Sequence, residues 1–380
     1  PAMASLARPD DLVLGFDVHK DTIAAGILRP GGESPDVERL FHDEASVRRF
    51  IARFDDPTRL RACYEAGPTG YELARLLHAL GVRCEVIAPS LVPRTPGDKV
   101  KTDRRDCRRL ARLYRAGELV AVRIPAREEE AVRDLCRSRW AMVVDYTRAR
   151  HRLTKFLLRH GRVWRGGVNW TSRHLAWLES QRFDDDALAL TYGHYRAAVT
   201  TRKVALEAVE ADLATYVGRP PFAEAVARLG AYRGISEIVA LTIAAEVCDW
   251  RRFATARSFM GFVGLVPSEY SSGSSVHRGR LTKAGNAHLR RQLIEAAWAY
   301  RHRAHVGKVM AARHRGSRPR RGGSGVAGPV PPVRAVPSPG CSQGQPVHSG
   351  RRHRPGAGRV LVGGDERVST PGPLLERLRG

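Results

Sequence analysis

A chain of 380 residues, 43% of them hydrophobic, can bury more than one core and has room for two domains with a connector between them. Its 64 Lys+Arg against 39 Asp+Glu leave a net charge of +25, a surplus that favours a polyanionic partner through counterion release. The six scattered cysteines contain no CxxC pair and no run approaches the ~18 apolar residues of a membrane span, so a zinc ribbon, a secreted disulfide framework and a membrane protein are all disfavoured.

No signal peptide precedes the first expected strand, Met3 is read as the natural start, and the expected compartment is reducing and aqueous. In residues 11–120, Leu12–Val18 reads as a buried strand and Thr22–Leu28 as a second strand beyond a tight turn. Ala45–Phe54 has helical periodicity, Leu60–Glu65 is a short strand, Tyr71–Leu80 is a helix ended by Gly81, and Cys84–Ala88 is another strand. Mixed strands followed by strand–helix alternation predict an α/β layer fold.

Four acids stand out in this region. With a period of two, Val13, Gly15 and Asp17 share one strand face, and Gly15 is expected to leave that face open beside the acid. Glu65 closes its strand just before Ala66-Gly67-Pro68, at a C-terminal edge of the kind where α/β sites form. Asp103 and Asp106 lie at a helix start with Thr102 as the N-cap. Stepping back four from Cys107 and Leu110 lands on them, so both extend the apolar stripe and face the sheet. Taken singly, the pair on this helix also reads as first-turn residues facing the helix dipole, or as surface partners of Arg104, Arg105, Arg108 and Arg109. Taken together, carboxylates converging on an apolar sheet edge repel one another and are costly to desolvate. A pair of Mg2+ (or Mn2+) ions about 3.5–4 Å apart would resolve that conflict and activate both oxygens of a phosphodiester displacement.

Residues 121–217 read as long charged helices, Glu128–Arg159 ended near Gly161 and His194–Tyr216. They suit a coiled-coil-like connector or dimerisation arm, or a plain bundle. Residues 218–310 form a second compact unit that is mainly α, with an apolar helix Ile238–Val247, a Gly/Ser loop, and a helix from about Asn286 to His302. Small residues in Ser271-Ser272-Gly273-Ser274-Ser275 allow close backbone approach to phosphate, and Arg278, Arg280 and Lys283 supply charge. Alone, such a loop is more often a linker. Residues 311–380 hold 14 Gly, 10 Pro and 13 Arg but no Lys and only 3 acids, a disordered composition. That tail reads either as a nucleic-acid-binding segment or, preferably, as the product of a shifted reading frame.

Three segments carry a resemblance: Gly15-Phe16-Asp17-Val18-His19-Lys20, Tyr64-Glu65-Ala66-Gly67-Pro68-Thr69-Gly70, and Lys101-Thr102-Asp103-Arg104-Arg105-Asp106. They look like the signatures of the DEDD transposases of bacterial insertion sequences, whose N-terminal domain is RuvC-like with an RNase H-like fold. The resemblance implies that Asp17, Glu65, Asp103 and Asp106 form the metal-binding tetrad, and that His19 and Lys20 contact phosphate or shape the turn. Gly264-Leu265-Val266-Pro267, the serine loop and Gly279–Asn286 resemble the family's C-terminal transposase domain, where a serine of an S-G-x-S element is the DNA nucleophile. Ser272 matches it, with Ser271 adjoining and leaving the assignment open by one residue. Leu229–Ser236 resembles the family's helix-hairpin-helix-like segment but carries Arg233 and Ser236 in place of the usual residues.

The family implies an RNA-guided DNA recombinase of the bacterial cytoplasm, associated with the nucleoid and active as a homo-oligomer, dimer or tetramer. Metal held by one subunit would meet the serine of another on donor and target DNA, with a structured guide RNA encoded by the element. Lys20, Arg104, Arg105, Arg278, Arg280 and Lys283 are the expected nucleic-acid contacts. Two other functions compete: a junction-resolving nuclease using metal-activated water, and an inactive nucleic-acid-binding remnant.

Overall fold

The computed structural model describes residues 10–93, 102–273, 275–303 and 305–316. Lys101, Ser274 and the part of the Gly/Pro/Arg-rich stretch from 317 onward lie outside the described residues.

The first unit is a mixed sheet of six strands: β1 (Leu12–Val18), β2 (Thr22–Leu28), β3 (Asp36–Phe41), β4 (Leu60–Glu65), β5 (Arg83–Ile87) and β6 (Ala121–Val122), in the order β3-β2-β1-β4-β5-β6. β1, β2 and β3 form an antiparallel meander, β4 and β5 run parallel to β1, and β6 returns antiparallel. One face packs on the helices α1 (Glu44–Ile51) and α2 (Glu72–Ala79) through Leu14, Phe16, Phe50, Tyr64 and Leu77. The other face is covered by α3 (Asp103–Arg115), whose Leu110, Ala111 and Tyr114 meet Val13, Cys63 and Ile87. Alternation along β1 thus sends Leu14 and Phe16 to one layer and Val13, Gly15 and Asp17 to the other.

The strands expected at Leu12–Val18, Thr22–Leu28 and Leu60–Glu65 are observed with those bounds. β3 is an addition to the sequence reading. It is an edge strand rich in charge, Asp-Val-Glu-Arg-Leu-Phe, with only partial burial, so no apolar alternation marks it.

Two long helices, α4 (Arg127–Arg159) and α6 (Asp186–Ala214), pack along each other and are bridged by the short α5 (Ser172–Ser180). α6 begins eight residues before the expected His194, with Asp185 as its N-cap accepting from Leu188 N at 2.9 Å. The far end of this pair is sealed by Leu153, Phe156, Leu157, Leu178 and Tyr192. The near end of α4 joins the second unit, where Val132 and Cys136 share a core with α7 (Ala223–Gly230), α8 (Glu237–Val247) and α9 (Ala256–Val263). The hairpin β7 (Pro267–Glu269) and β8 (Arg278–Leu281) follows, then α10 (Ala287–Trp298) and α11 (Lys308–Gly316). α11 crosses the boundary expected after position 310, and its Arg313 donates to the carbonyl of Ile235 at 3.1 Å.

No helix among the described residues is long and apolar enough to cross a membrane.

Candidate active site

The close packing of α3 on the sheet decides where the acids go. A Cβ built on Gly15 would lie 2.4 Å from the carbonyl oxygen of Cys107, and one on Gly26 would lie 2.7 Å from that same atom. Gly15 and Gly26 are register partners across β1 and β2, so the two glycines form a trough in which the α3 backbone rests directly on the sheet. The face beside Asp17 is therefore filled by helix backbone, where the sequence reading expected open space. That contact delivers the N-terminus of α3 to the end of β1. Thr102 caps the helix by accepting from Arg105 N at 3.4 Å, as its sequence predicts.

Asp17 and Asp103 consequently come together, with an imidazole between them. His19 Nε2 lies 3.4 Å from Asp17 Oδ2 and 3.3 Å from Asp103 Oδ1. These donors all lie within 4.8 Å of one another and make the one group of three or more potential metal ligands among the described residues. The turn from β1 to β2 presents the imidazole: His19 N–H donates to the Thr22 carbonyl at 2.9 Å, and His42 Nδ1 lies 2.7 Å from the His19 carbonyl. His19 stands two residues beyond Asp17, and that i, i+2 spacing was the signal available in the sequence for a donor on the same side.

Glu65 and Asp106 are not members of that close group. Glu65 is half-buried at the end of β4. The parallel register that pairs Phe16 with Tyr64 brings its strand end to the same edge as Asp17. Asp106 is buried one turn along α3, 8% exposed. Its Oδ1 stands 3.6 Å from the Arg109 guanidinium, while its Oδ2 is buried with no hydrogen-bond partner among the described residues. A buried carboxylate oxygen in that condition costs about 1–3 kcal/mol or more, and calls for an explanation. Burial pushes the Cys107 thiol up to about 11, with Asp17 adding to the rise and backbone N–H donors opposing it.

Of the expected nucleic-acid contacts, Lys20, Arg104 and Arg105 are exposed around this sheet edge. Arg108 and Arg109 are partly buried, and Arg108 Nε donates to the Pro35 carbonyl at 3.0 Å. Of these four arginines, α3 turns two out and holds two partly in.

The serine loop is the tip of the β7–β8 hairpin. Tyr270 N–H donates to the His277 carbonyl at 2.8 Å, and the backbones of Ser272 and Ser275 exchange two hydrogen bonds of 3.1 Å each. Gly273 takes φ +57° between them, a conformation that suits glycine. The Ser271 hydroxyl donates to Glu269 Oε1 at 2.9 Å, and Arg278 Nε lies 3.8 Å from Glu269 Oε2. Ser272 is exposed, as are Arg278, Arg280 and Lys283. Two glycine approaches hold the base of the hairpin: a Cβ on Gly264 would meet the Ala284 carbonyl at 2.3 Å, and one on Gly285 would meet the Phe262 carbonyl at 2.1 Å. The two sequence blocks flanking the serines are thereby locked together through their backbones.

The next residue, Asn286, caps α10 by accepting from Leu289 N at 2.9 Å, while its amide donates to Glu246 Oε2 at 2.6 Å. Glu246 also receives Arg137 bidentately at 2.8 and 3.0 Å. Burial works against this carboxylate, but the Arg137 guanidinium and the Asn286 amide outweigh it and hold Glu246 below the ordinary glutamate range. In the helix-hairpin-helix-like segment, Gly234 packs against α10, where a Cβ would lie 2.5 Å from the Ala296 carbonyl. Ser236 caps α8 by accepting from Val239 N.

Comparison with known proteins covers both units. A DEDD transposase model, described as transposase, matches residues 14–161, and a model described as the transposase IS116/IS110/IS902 family matches residues 226–315. A candidate transposase of Sinorhizobium fredii is 43% identical over 302 residues, covering 78% of this chain and 73% of that protein. The transposase for insertion sequence element IS1533 of Leptospira borgpetersenii is 33% identical over 308 residues, covering 80% of this chain and 89% of its own length. The transposase for insertion sequence element IS1328 of Yersinia enterocolitica is 25% identical over 269 residues, covering 69% of this chain and 79% of its own.

Proposed function

Since this chain belongs to the IS116/IS110/IS902 family of DEDD-type insertion-sequence transposases, we propose that it cuts and exchanges DNA strands with a divalent metal and a serine nucleophile. The observation that carries the proposal is the meeting of Asp17 and Asp103 at the C-terminal edge of the sheet, with Glu65 ending the neighbouring strand and Asp106 buried one turn away. The β3-β2-β1-β4-β5-β6 order, an antiparallel meander continued by parallel strands, supports an RNase H-like, RuvC-like domain.

The residues fit a hard cation. Carboxylate oxygens are the donors that Mg2+ or Mn2+ takes, and the buried Asp106 Oδ2 has no hydrogen bond among the described residues. Asp17, Glu65, Asp103 and Asp106 would hold the ion. When bound, it supplies Lewis-acid polarisation of a phosphodiester.

The rest of the chemistry belongs to side chains. Ser272 Oγ forms a bond to phosphorus, the bond from phosphorus to a deoxyribose oxygen breaks, and the proton the serine gives up is balanced by one taken up by the departing deoxyribose oxygen. Attack on the phosphoserine by a deoxyribose hydroxyl of a new strand reverses the linkage, so no net hydrolysis occurs. Ser271 is the neighbour whose hydroxyl is committed to Glu269, which favours Ser272 as the nucleophile. Lys20, Arg104 and Arg105 at the sheet edge, and Arg278, Arg280 and Lys283 at the hairpin, would position donor and target DNA through phosphate contacts.

The serine and the acids belong to separate units joined by the long helices, an arrangement that supports a homo-oligomer, dimer or tetramer, in which one subunit's acids work with another's serine. A structured guide RNA from the element would choose the sites, in the cytoplasm at the nucleoid. The same separation also favours a second reading, hydrolysis by water with the hairpin only binding DNA. Cognate DNA incubated with Mg2+ and guide RNA tests the metal half. Asp17→Asn, Glu65→Gln and Asp106→Asn should each lower strand breakage at least about 100-fold, the scale of losing a group that acts in the transition state. Full activity in any two of them would reject the tetrad.

A further inference from the structure

We infer that His19 is itself a ligand of the metal site, an imidazole nitrogen added to the carboxylate set. The inference rests on the carboxylate reading above and goes beyond it. Its basis is position: His19 Nε2 lies 3.4 Å from Asp17 Oδ2 and 3.3 Å from Asp103 Oδ1. Adjacent donors around an octahedral ion with bonds of about 2.1 Å stand about 3 Å apart, so the imidazole nitrogen is spaced from each carboxylate oxygen about as neighbouring corners of one coordination sphere, and all three atoms lie within 4.8 Å of one another.

The alternative is that His19 merely pairs with the two acids. Its side chain is 50% exposed and that of Asp103 51%, and a pair so exposed contributes about 0–1 kcal/mol. A pairing that weak gives little reason to hold an imidazole between two carboxylates. The second pointer is Asp106, one turn along α3 from Asp103, whose buried Oδ2 has no hydrogen-bond partner among the described residues. Beside the group spaced for coordination there is therefore a buried carboxylate oxygen with no hydrogen bond among the described residues. His42 lies on the other side of the turn, against the His19 carbonyl, and is outside the donor group.

A nitrogen donor changes which ions the site prefers. Carboxylate and water ligands alone suit Mg2+, whereas imidazole raises affinity for first-row transition ions. His19 should therefore tilt the site toward Mn2+ relative to Mg2+, and its removal should cost Mn2+ binding about tenfold while changing Mg2+ binding much less.

Electron spin-echo spectroscopy of the full chain loaded with Mn2+ reads this directly, because a coordinated imidazole imprints 14N modulation on the manganese signal. The expected result is 14N modulation in the unaltered protein, lost in His19→Ala and kept in His42→Ala, with Mn2+ still bound at higher concentration in His19→Ala. Bound Mn2+ without 14N modulation, or modulation unchanged in His19→Ala, would overturn the inference and leave the carboxylate site standing. No bound Mn2+ in the unaltered protein would overturn both. Thermal unfolding of His19→Ala close to that of the unaltered protein separates a lost ligand from a lost fold.

Discussion

At the scale of single residues, two glycines do as much for the site as its acids. Gly15 and Gly26 let the α3 backbone lie against the sheet, and that contact brings Asp103 to Asp17. An added methyl at Gly15 must push the helix outward, because the atom it meets is a backbone carbonyl. Gly15→Ala should destabilise the protein by about 1–3 kcal/mol, the range for overpacking a filled core. It should also weaken Mn2+ binding, as calorimetric titration would show; unchanged stability and affinity would mean that the helix is not seated by this trough. Asp17, Glu65, Asp103 and Asp106 were all legible in the sequence, as acids within an apolar strand, at a strand end and at a helix start. The role of Gly15 was not. A glycine on a strand face marks missing volume, but not whether space or another backbone fills it. His19 was legible as a phosphate contact or a turn residue but not as a ligand, because the imidazole acquires that meaning from Asp103, 84 positions away in the chain.

Among the elements, α4, α8 and α10 are joined by one buried carboxylate. The Glu246 side chain is 1% exposed, and both its oxygens are taken, by Arg137 from α4 and by Asn286 at the start of α10. Arg137→Ala leaves a charge buried with one amide for company, which costs about 3–5 kcal/mol. The pH dependence follows from the depressed acid. In the unaltered protein its contribution is present above the ordinary glutamate value of 4.5 and is lost as pH falls through the lower folded value. Without the guanidinium, burial dominates and raises the folded value, so the variant should recover stability as it is acidified. The gap between the two proteins in urea unfolding should therefore be widest near neutrality and narrow towards pH 4; a gap constant with pH would remove Glu246 from the account. None of this network was read from the sequence, since Arg137, Glu246 and Asn286 lie on three helices distant in the chain. The helices themselves were legible, α8 within a residue of its observed start and α4 likewise, because each carries a clear apolar run or a charged amphipathic period. β3 and β7–β8 were not, being short, polar and exposed.

For the whole molecule, charge sets the affinity for its substrate. A surplus of +25, with exposed basic side chains at both the sheet edge and the hairpin, predicts DNA binding that falls steeply with salt. If 6–10 phosphates are contacted, affinity should drop about 10³–10⁵-fold between 50 and 200 mM salt. Deleting residues 317–380, which hold 11 arginines and 3 acids, should lower that slope, and a flat salt profile in the full chain would argue against phosphate contacts altogether. The sheet strands and the long charged helices that follow them were visible in the sequence as changes of hydrophobic pattern. How one unit reaches the other's chemistry was not, because the serine lies in the β7–β8 hairpin and the acids on the sheet and α3, elements far apart in the chain. The central claim is that DNA is cut by a serine of the hairpin in concert with the acids of the sheet. Peptide mapping by mass spectrometry of protein trapped on cognate DNA with Mn2+ and guide RNA tests it most directly. The account predicts a nucleotide phosphate on Ser272, absent from Ser272→Ala and Asp17→Asn; DNA cut with free phosphate ends and no modified serine would contradict it.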